Sequence, residues 1–157
     1  MKKYIFWIFF ICLHAYADDT YKLEYEANYD PTEKGFRVSI SIEEGNGLNR
    51  MTFSNPKNHY QQIRANGKLV ISKDKVEWTL PREEARMTYF VPVINAKGEG
   101  RFDAYATEDW AIFRGDDLIP AFTTYEKKPV FARATLNFVL PEGWGAESAW
   151  KKKERTS

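Results

Sequence analysis

The feature that most constrains the fold is a strict alternation of apolar and polar residues near the start of the chain. Every second residue from Tyr21 to Tyr29 is apolar, and a second run of the same kind covers Phe36–Ile42. Successive side chains of a β-strand point to opposite faces, so each run predicts a strand with one face on a core and the other in water. The Pro and Gly within Asp30–Gly35, between the two runs, predict a hairpin loop.

Similar runs recur along the rest of the chain. Together they amount to seven to nine short strands, with no amphipathic helix of three turns. This pattern predicts an all-β fold in which two antiparallel sheets pack face to face as a β-sandwich. The further predicted strands are Arg50–Phe53, Ile63–Ala65, Lys68–Ile71, Val76–Leu80, Arg86–Ile94 and Ala132–Leu140.

Three features of these runs predict more specific details of the fold. Asn66-Gly67 lies between two of the runs and tolerates positive φ at both turn positions, which predicts a tight β-hairpin. Trp78 lies on the apolar face of its strand and is expected in the core. Arg86–Ile94 is apolar on both faces, which indicates an interior strand.

The first 17 residues have the features of a removable export signal. Lys2 and Lys3 precede the apolar run Tyr4–Leu13, and Ala15-Tyr16-Ala17 is a small-x-small cleavage site. The apolar run is too short for a membrane-spanning helix, which needs ~20 residues. The expectation is a periplasmic or secreted protein with no membrane anchor after signal removal.

Signal removal leaves residues 18–148 as the predicted β-sandwich domain. The final residues, 149–157, lack an apolar pattern and are expected to be a frayed tail or a truncated linker. Without Lys2 and Lys3 the formal net charge falls from +1 to −1, and the longest basic run is the three residues Lys151–Lys153. That charge balance argues against nucleic acid as a partner.

The signal also removes the one Cys and one of the two His residues, so His59 is the remaining histidine. A Cys-ligated metal, a Cys–His catalytic pair and a zinc site built on several His residues are thereby excluded. The sequence therefore predicts no catalytic residue, no metal ligand and no cofactor in this chain. His59 itself is expected to be a loop residue.

The segment Arg101–Phe122 fits neither the strand nor the helix period. It predicts an irregular, aromatic-rich excursion that is ordered and has room for one helical turn. In one interpretation it is a plug that fills the end of the sandwich, with Arg114 paired to a neighbouring Asp. In another it is a recognition edge, whose carboxylates accept an ammonium group or cover the cleft of a neighbouring domain. The candidate interface or cleft-edge residues are Asp109, Trp110, Arg114, Gly115, Asp116 and Asp117.

The carboxylates leave two further interpretations open. Asp109, Asp116 and Asp117 are a candidate hard-cation site, although they lack the alternating ligand spacing of a calcium loop. A pair of acidic residues for glycoside hydrolysis is the other interpretation. Spacing in the sequence cannot select one pair among 22 acidic residues.

Two motifs carry a resemblance to a known family. Glu108–Pro120, followed by Phe138–Trp144 with its Leu-Pro-x-Gly-Trp ending, resembles the N-terminal β-domain of the glycyl aminopeptidase family. Members of that family are secreted or periplasmic gluzincin metallopeptidases. The match covers Arg86–Trp144, whereas Asp18–Ile71 agrees mainly in its strand pattern.

The family's catalytic apparatus is a zinc-binding His-Glu-x-x-His helix in a following domain, and this sequence contains no such motif. The resemblance therefore implies a non-catalytic accessory domain, with zinc belonging to a catalytic domain that is not present in this chain. The implied partner is a downstream peptidase-like domain, whose cleft this domain packs on and walls, or a peptide substrate. The alternatives are a free-standing periplasmic binding or interaction module unrelated to peptidase activity, and a small hydrolase that uses buried carboxylates.

Overall fold

The computed structural model describes residues 20–43, 47–93, 95–98, 101–126 and 131–148. The predicted signal peptide 1–17, the predicted tail 149–157 and Ile94 lie outside these ranges. Within them, no helix is both long enough and apolar enough to cross a bilayer. The elements are β1 Thr20–Asp30, β2 Gly35–Ile42, β3 Leu48–Ser54, a 3-10 turn Pro56–Asn58, β4 Gln61–Ala65, β5 Lys68–Ile71, β6 Lys75–Thr79, β7 Ala85–Pro92, β8 Asn95–Gly98, β9 Arg101–Ala106, β10 Ala111–Ile112, α1 Gly115–Leu118, β11 Thr123–Glu126 and β12 Phe131–Val139.

The strands form two main sheets and one small sheet. The five-stranded sheet has the order β12-β1-β2-β7-β4, and the four-stranded sheet has the order β11-β3-β6-β5. A third sheet, β10-β9-β8, has three strands. The predicted β-sandwich is confirmed, with more strands than expected, since the described ranges hold twelve.

One hydrophobic core lies between the two main sheets. The alternation that predicted β1 and β2 is the alternation of buried and exposed side chains along both strands. Burial of apolar surface at this density is the main source of stability for a sandwich. The largest of the fully buried core side chains are Trp78, Tyr89, Phe36, Ile40, Ile42, Met51, Met87, Leu118, Val38, Val76 and Val93.

The β1–β2 connection is the hairpin loop that the sequence predicts. The Asp30 carboxylate accepts hydrogen bonds from the backbone N–H groups of Thr32, at 2.9 Å, and Glu33, at 3.1 Å. Such bonds from an Asp side chain to the chain that follows are typical of tight turns. After the loop, a Cβ at Gly35 would collide with the ring of Phe90 and with the backbone carbonyl oxygen of Val91. A glycine is therefore needed where β2 comes close to β7.

The turn at Asn66-Gly67 is not the predicted hairpin. The strand before it, β4, pairs with β7 in the five-stranded sheet, whereas the strand after it, β5, pairs with β6 in the four-stranded sheet. The turn is therefore a corner that joins the two sheets. Gly67 has a φ of +77°, and a Cβ there would collide with the carbonyl oxygen of Thr79.

Asn66 holds this corner through both its side chain and its backbone. Its side-chain amide donates to the Glu84 carbonyl at 2.8 Å and accepts from the Arg86 N–H at 2.7 Å. Its backbone N–H donates to the Arg86 carbonyl at 3.0 Å. Its own carbonyl accepts from the indole N–H of Trp78 at 2.7 Å. These contacts with β6 and β7 override the local preference of Asn-Gly for a two-strand hairpin.

β12 is a strand, as predicted, but the direction of its pairing differs from the antiparallel sheets that were expected. It pairs with β1 in parallel, so the sandwich is not wholly antiparallel, and it lies at the edge of the five-stranded sheet. Ala132 and Ala134 are exposed, whereas Leu136 and Phe138 are partly buried. The alternating pattern marks a strand face, but it does not reveal whether a neighbour covers that face. The interior position predicted for β7 is confirmed, since it lies between β2 and β4.

The expected core position of Trp78 is confirmed, since its side chain is 0% exposed. Trp78→Ala should therefore lower the free energy of unfolding by about 3–5 kcal/mol, the usual cost of truncating a large aromatic side chain in a core. Chemical denaturation of both proteins measures this difference.

The matched control for this prediction is Trp110→Ala, because Trp110 is 51% exposed. That variant should have nearly the stability of the unmodified chain. An unchanged denaturation midpoint for Trp78→Ala would show that the register of β6 is wrong.

Candidate functional site at the β9–β10 hairpin

The expected irregular excursion over 101–122 is only partly irregular. It contains one helical turn, α1, as expected, but it begins with a strand, β9, which pairs with β10 and, with shifts in register, with β8. In β9 small buried residues alternate with a large exposed one, since Ala104 and Ala106 are buried and Tyr105 is not. Because alanines contribute little hydrophobicity, the alternation in this short run is a weak signal.

Thr107 closes the turn between β9 and β10. Its backbone N–H donates to the carbonyl of Trp110 at 2.8 Å. Its hydroxyl accepts hydrogen bonds from the backbone N–H groups of Asp109, at 3.2 Å, and Trp110, at 3.1 Å. Short hydroxyl side chains often satisfy turn backbone in this way. The turn therefore fixes the position at which Trp110 leaves the backbone.

Tyr105, Trp110 and Ile112 form an exposed apolar cluster on this hairpin, which we call the hairpin face. Tyr105 and Ile112 are directly opposite each other on β9 and β10, so their side chains share one face. The ring centroids of Tyr105 and Trp110 are 5.8 Å apart. The exposed fractions are 38% for Tyr105, 51% for Trp110 and 63% for Ile112. Exposed apolar clusters are typical of interaction sites.

The chain that follows the hairpin is anchored in the core. The Phe113 ring packs against Phe36, with 4.7 Å between centroids, and against Phe138, with 6.2 Å. Leu118 in α1 is 1% exposed. The hairpin face is therefore carried by a packed support and not by a free loop.

Two side chains from the sandwich hold the backbone of α1. The Tyr89 hydroxyl donates to the carbonyl of Leu118 at 3.1 Å. The Nε2 atom of His59 lies 2.8 Å from the carbonyl oxygen of Asp117, so the ring donates when its proton is on Nε2. His59 is in a loop, as expected, and it also fixes α1. The segment is in this respect the plug that one interpretation predicted.

Tyr60 and Tyr89 pack against each other beneath this segment, with 5.3 Å between ring centroids. Burial raises the pKa of Tyr60 to about 12, and the charges of Asp117 and Asp116 add to the increase. Burial also raises the pKa of Tyr89. The fold thus favours the neutral phenols. For Tyr60 this stabilisation is present below pH 10 and is lost as the pH rises through about 12.

Arg114 pairs with Asp116 at the surface, as the plug interpretation expects. The Nε–H group of Arg114 donates to Oδ1 of Asp116 at 3.0 Å, and a terminal N–H group donates to Oδ2. These hydrogen bonds and the positive charge lower the pKa of Asp116. Both side chains are more than half exposed. An exposed pair of this kind contributes little to folding.

The six predicted interface residues fall into two neighbouring groups. Asp109 and Trp110 lie on the hairpin, whereas the other four form the N-cap and first residues of α1. Within the described ranges, no three or more Asp, Glu, His or Cys side chains are grouped to hold a metal ion. Asp109, Asp116 and Asp117 therefore do not form the considered hard-cation site.

The hydrolase interpretation requires buried carboxylates, and the side chains whose burial is described include none. Every Asp and Glu whose side-chain burial is described there is at least partly exposed. The buried polar side chains there are Thr52 and Asn55. A shallow depression between α1 and the five-stranded sheet, lined in part by His59, Phe113 and Leu118, has a volume of about 10 Å³. That is room for about one water molecule and not for a sugar or a peptide.

No sequence pattern singled out Tyr105, Ile112 or Thr107, which complete the hairpin. The available signal was the Thr-x-x-Trp turn between two short runs, one of them rich in alanine. Because β10 has two residues, periodicity alone cannot identify it.

Comparison with known proteins supports the fold. No protein-family model matches the chain, and no curated protein matches it. A solved structure of an aminopeptidase N family protein from Idiomarina loihiensis is similar, with 18% sequence identity and a TM-score of 0.52. The similarity covers 76% of this chain and 22% of that chain, so this chain spans a minor part of that protein. The chain is therefore similar in fold to a part of that protein, and the finer resemblance to the N-terminal β-domain of the glycyl aminopeptidase family stays a prediction.

Replacing both Asp116 and Asp117 with Asn should leave the melting temperature of the chain nearly unchanged. The Arg114–Asp116 pair is exposed, and the contact of Asp117 with His59 uses the backbone carbonyl, which the substitution keeps. Thermal denaturation monitored by circular dichroism measures the effect.

The contrasting variant is Tyr89→Phe, which removes the buried hydroxyl donor to the Leu118 carbonyl. It should cost about 1 kcal/mol or more, because a buried carbonyl loses its partner. If the double Asn variant is the more damaging of the two, the carboxylates are part of the fold and not of a surface site.

Proposed function

We propose that this chain is an exported, non-catalytic accessory domain of an aminopeptidase-like metallopeptidase, and that its hairpin face packs on the catalytic domain beside the substrate cleft. The fold similarity to part of an aminopeptidase N family protein supports the general assignment. The motifs Glu108–Pro120 and Phe138–Trp144 support the finer one, to the N-terminal domain type of the glycyl aminopeptidases. The signal-like segment 1–17 supports export to the periplasm or the medium.

The observation that carries the proposal is the hairpin face. The tilted rings of Trp110 and Tyr105 contact each other beside Ile112, on a hairpin whose following residues are anchored in the core. Trp and Tyr are the residue types that most often dominate the binding energy of protein interfaces. Because its support is packed, this surface can bind without the entropic cost of ordering a loop.

The charged residues beside the hairpin face suit the rim of such an interface. Asp109 and the Arg114–Asp116 pair are exposed and lie next to the apolar centre in the chain. Interfaces commonly combine an apolar centre with a polar rim of this kind. In this proposal the chain shapes one wall of the cleft, and the zinc chemistry belongs to the catalytic domain.

The experiment is a binding measurement between this chain and the zinc-peptidase domain encoded with it. The reading frame after Ser157 and the adjacent genes are searched for His-Glu-x-x-His, and the domain that carries the motif is purified. The double variant Trp110→Ala with Ile112→Ser should weaken binding by about 30-fold or more, the effect of losing an interface hot spot. Isothermal titration calorimetry measures the dissociation constants.

The matched control is Val70→Ser with Ile71→Ser, which alters two residues on β5 that are 47% and 53% exposed. This control should bind like the unmodified chain. Equal binding by all three proteins would contradict the hairpin face as the docking surface. If no peptidase domain is encoded with the chain, the assignment itself is contradicted, and a free-standing interaction module is favoured.

A further inference from the structure

The outer strand of the five-stranded sheet, β12, presents a long open edge. It pairs with β1 through nine consecutive residues without a bulge, and no strand among the described residues pairs with its other side. The other edge strands in the described ranges have five residues or fewer. An open edge exposes unpaired backbone N–H and C=O groups that can pair with another strand.

The other edge strands of the two main sheets, β4, β11 and β5, have features that usually prevent the addition of another strand. The register of β4 shifts between Gln61 and Arg64, and Gln62 there has a φ of +51°. The register of β11 shifts between Tyr125 and Glu126. β5 has four residues and begins with Lys68. β12 is longer, keeps its register along its whole length and contains no proline, and its single charged residue is Arg133.

We propose that β12 pairs antiparallel with β12 of a second copy of this chain, about a two-fold axis at Thr135. The two five-stranded sheets then form one continuous sheet of ten strands. Directly opposed residues of an antiparallel pair point to the same face of the sheet. For the core faces of both copies to lie on the same side, odd-numbered residues must therefore pair with odd-numbered ones and even-numbered with even-numbered ones. Centring the axis on Thr135 satisfies this condition and also pairs the whole strand. The resulting pairs are Phe131 with Val139, Ala132 with Phe138, Ala134 with Leu136, Arg133 with Asn137, and Thr135 with itself.

The side chains of β12 are self-complementary in this register. Phe131 and Val139, which are 68% and 42% exposed, lie opposite each other and form an aromatic and β-branched pair. On the core side, the exposed Ala132 faces the partly buried Phe138, so a small residue accommodates a large one.

The charges also permit this pairing. Arg133 faces Asn137 and not a second Arg, so no like charges are opposed. The formal net charge of the chain is +1, which gives little long-range repulsion between copies. The hairpin face takes no part in this contact, so the dimer and the proposed peptidase docking can fail independently.

The first test is a cysteine cross-link. The whole sequence is expressed with Cys12→Ser, so that an introduced thiol is the only one. Thr135→Cys places two copies of one residue opposite each other and should form a disulfide-linked dimer under mild oxidation. Thr123→Cys, on the exposed edge of β11, is the control and should cross-link much more slowly. Equal cross-linking of the two variants overturns the proposal.

The second test exchanges charges at the ends of the strand, with the dissociation constant measured by analytical ultracentrifugation. Phe131→Lys with Val139→Lys should weaken the dimer by about tenfold or more, because like charges then meet at both ends. Phe131→Glu with Val139→Lys should restore it, because each Glu then faces a Lys of the other copy. The two positions are about 26 Å apart within one strand, so they cannot rescue each other in a monomer.

A chain that stays monomeric at all concentrations overturns the proposal. So does a dimer that is insensitive to both charge variants, because it must use another face. A monomeric chain that binds the strand of a different protein along β12 also overturns self-pairing.

Discussion

The hydrogen bond from the Trp78 indole to the Asn66 carbonyl is the contact on which the arrangement of the two sheets depends. Trp78 belongs to the four-stranded sheet and is fully buried, whereas Asn66 follows the last residue of β4 at the corner and is bonded to the start of β7. A buried N–H group without a partner costs about 1–3 kcal/mol, so the indole and the corner stabilise each other. Through β7, the same corner positions Tyr89, which holds α1.

The sequence predicted the elements of this fold better than their pairing. Alternation identified β1 and β2, because each has one buried and one exposed face, and it placed Trp78 in the core. The Asn66-Gly67 hairpin was wrong, because local turn preference says nothing about the long-range bonds that Asn66 makes with β6 and β7. The parallel pairing of β12 was missed for a related reason, since alternation does not encode the direction of the neighbouring strand.

For the candidate site, too, the sequence predicted the segment of the chain but not the contacts that it makes. Sequence reasoning placed interest on residues 109–117, and the structure finds there an exposed Trp110, a surface Arg114–Asp116 pair and an anchored helical turn. Sequence reasoning did not identify Tyr105 as the aromatic partner of Trp110, because that contact depends on a hairpin with a two-residue strand. The hairpin face and the open edge of β12 both lie on elements attached to the core, but their exposed groups are not part of the core packing.

The structure places the Trp78 side chain of the Trp78–Asn66 joint within the stable core and leaves Trp110 half exposed and available to an interface. Hydrogen exchange of the indole N–H groups, followed by NMR in the unmodified chain, tests this claim without any substitution. The Trp78 indole proton should exchange only through global unfolding, with a protection free energy equal to that of unfolding, and the Trp110 proton should exchange far faster. Similar exchange rates for the two indole protons would contradict the account.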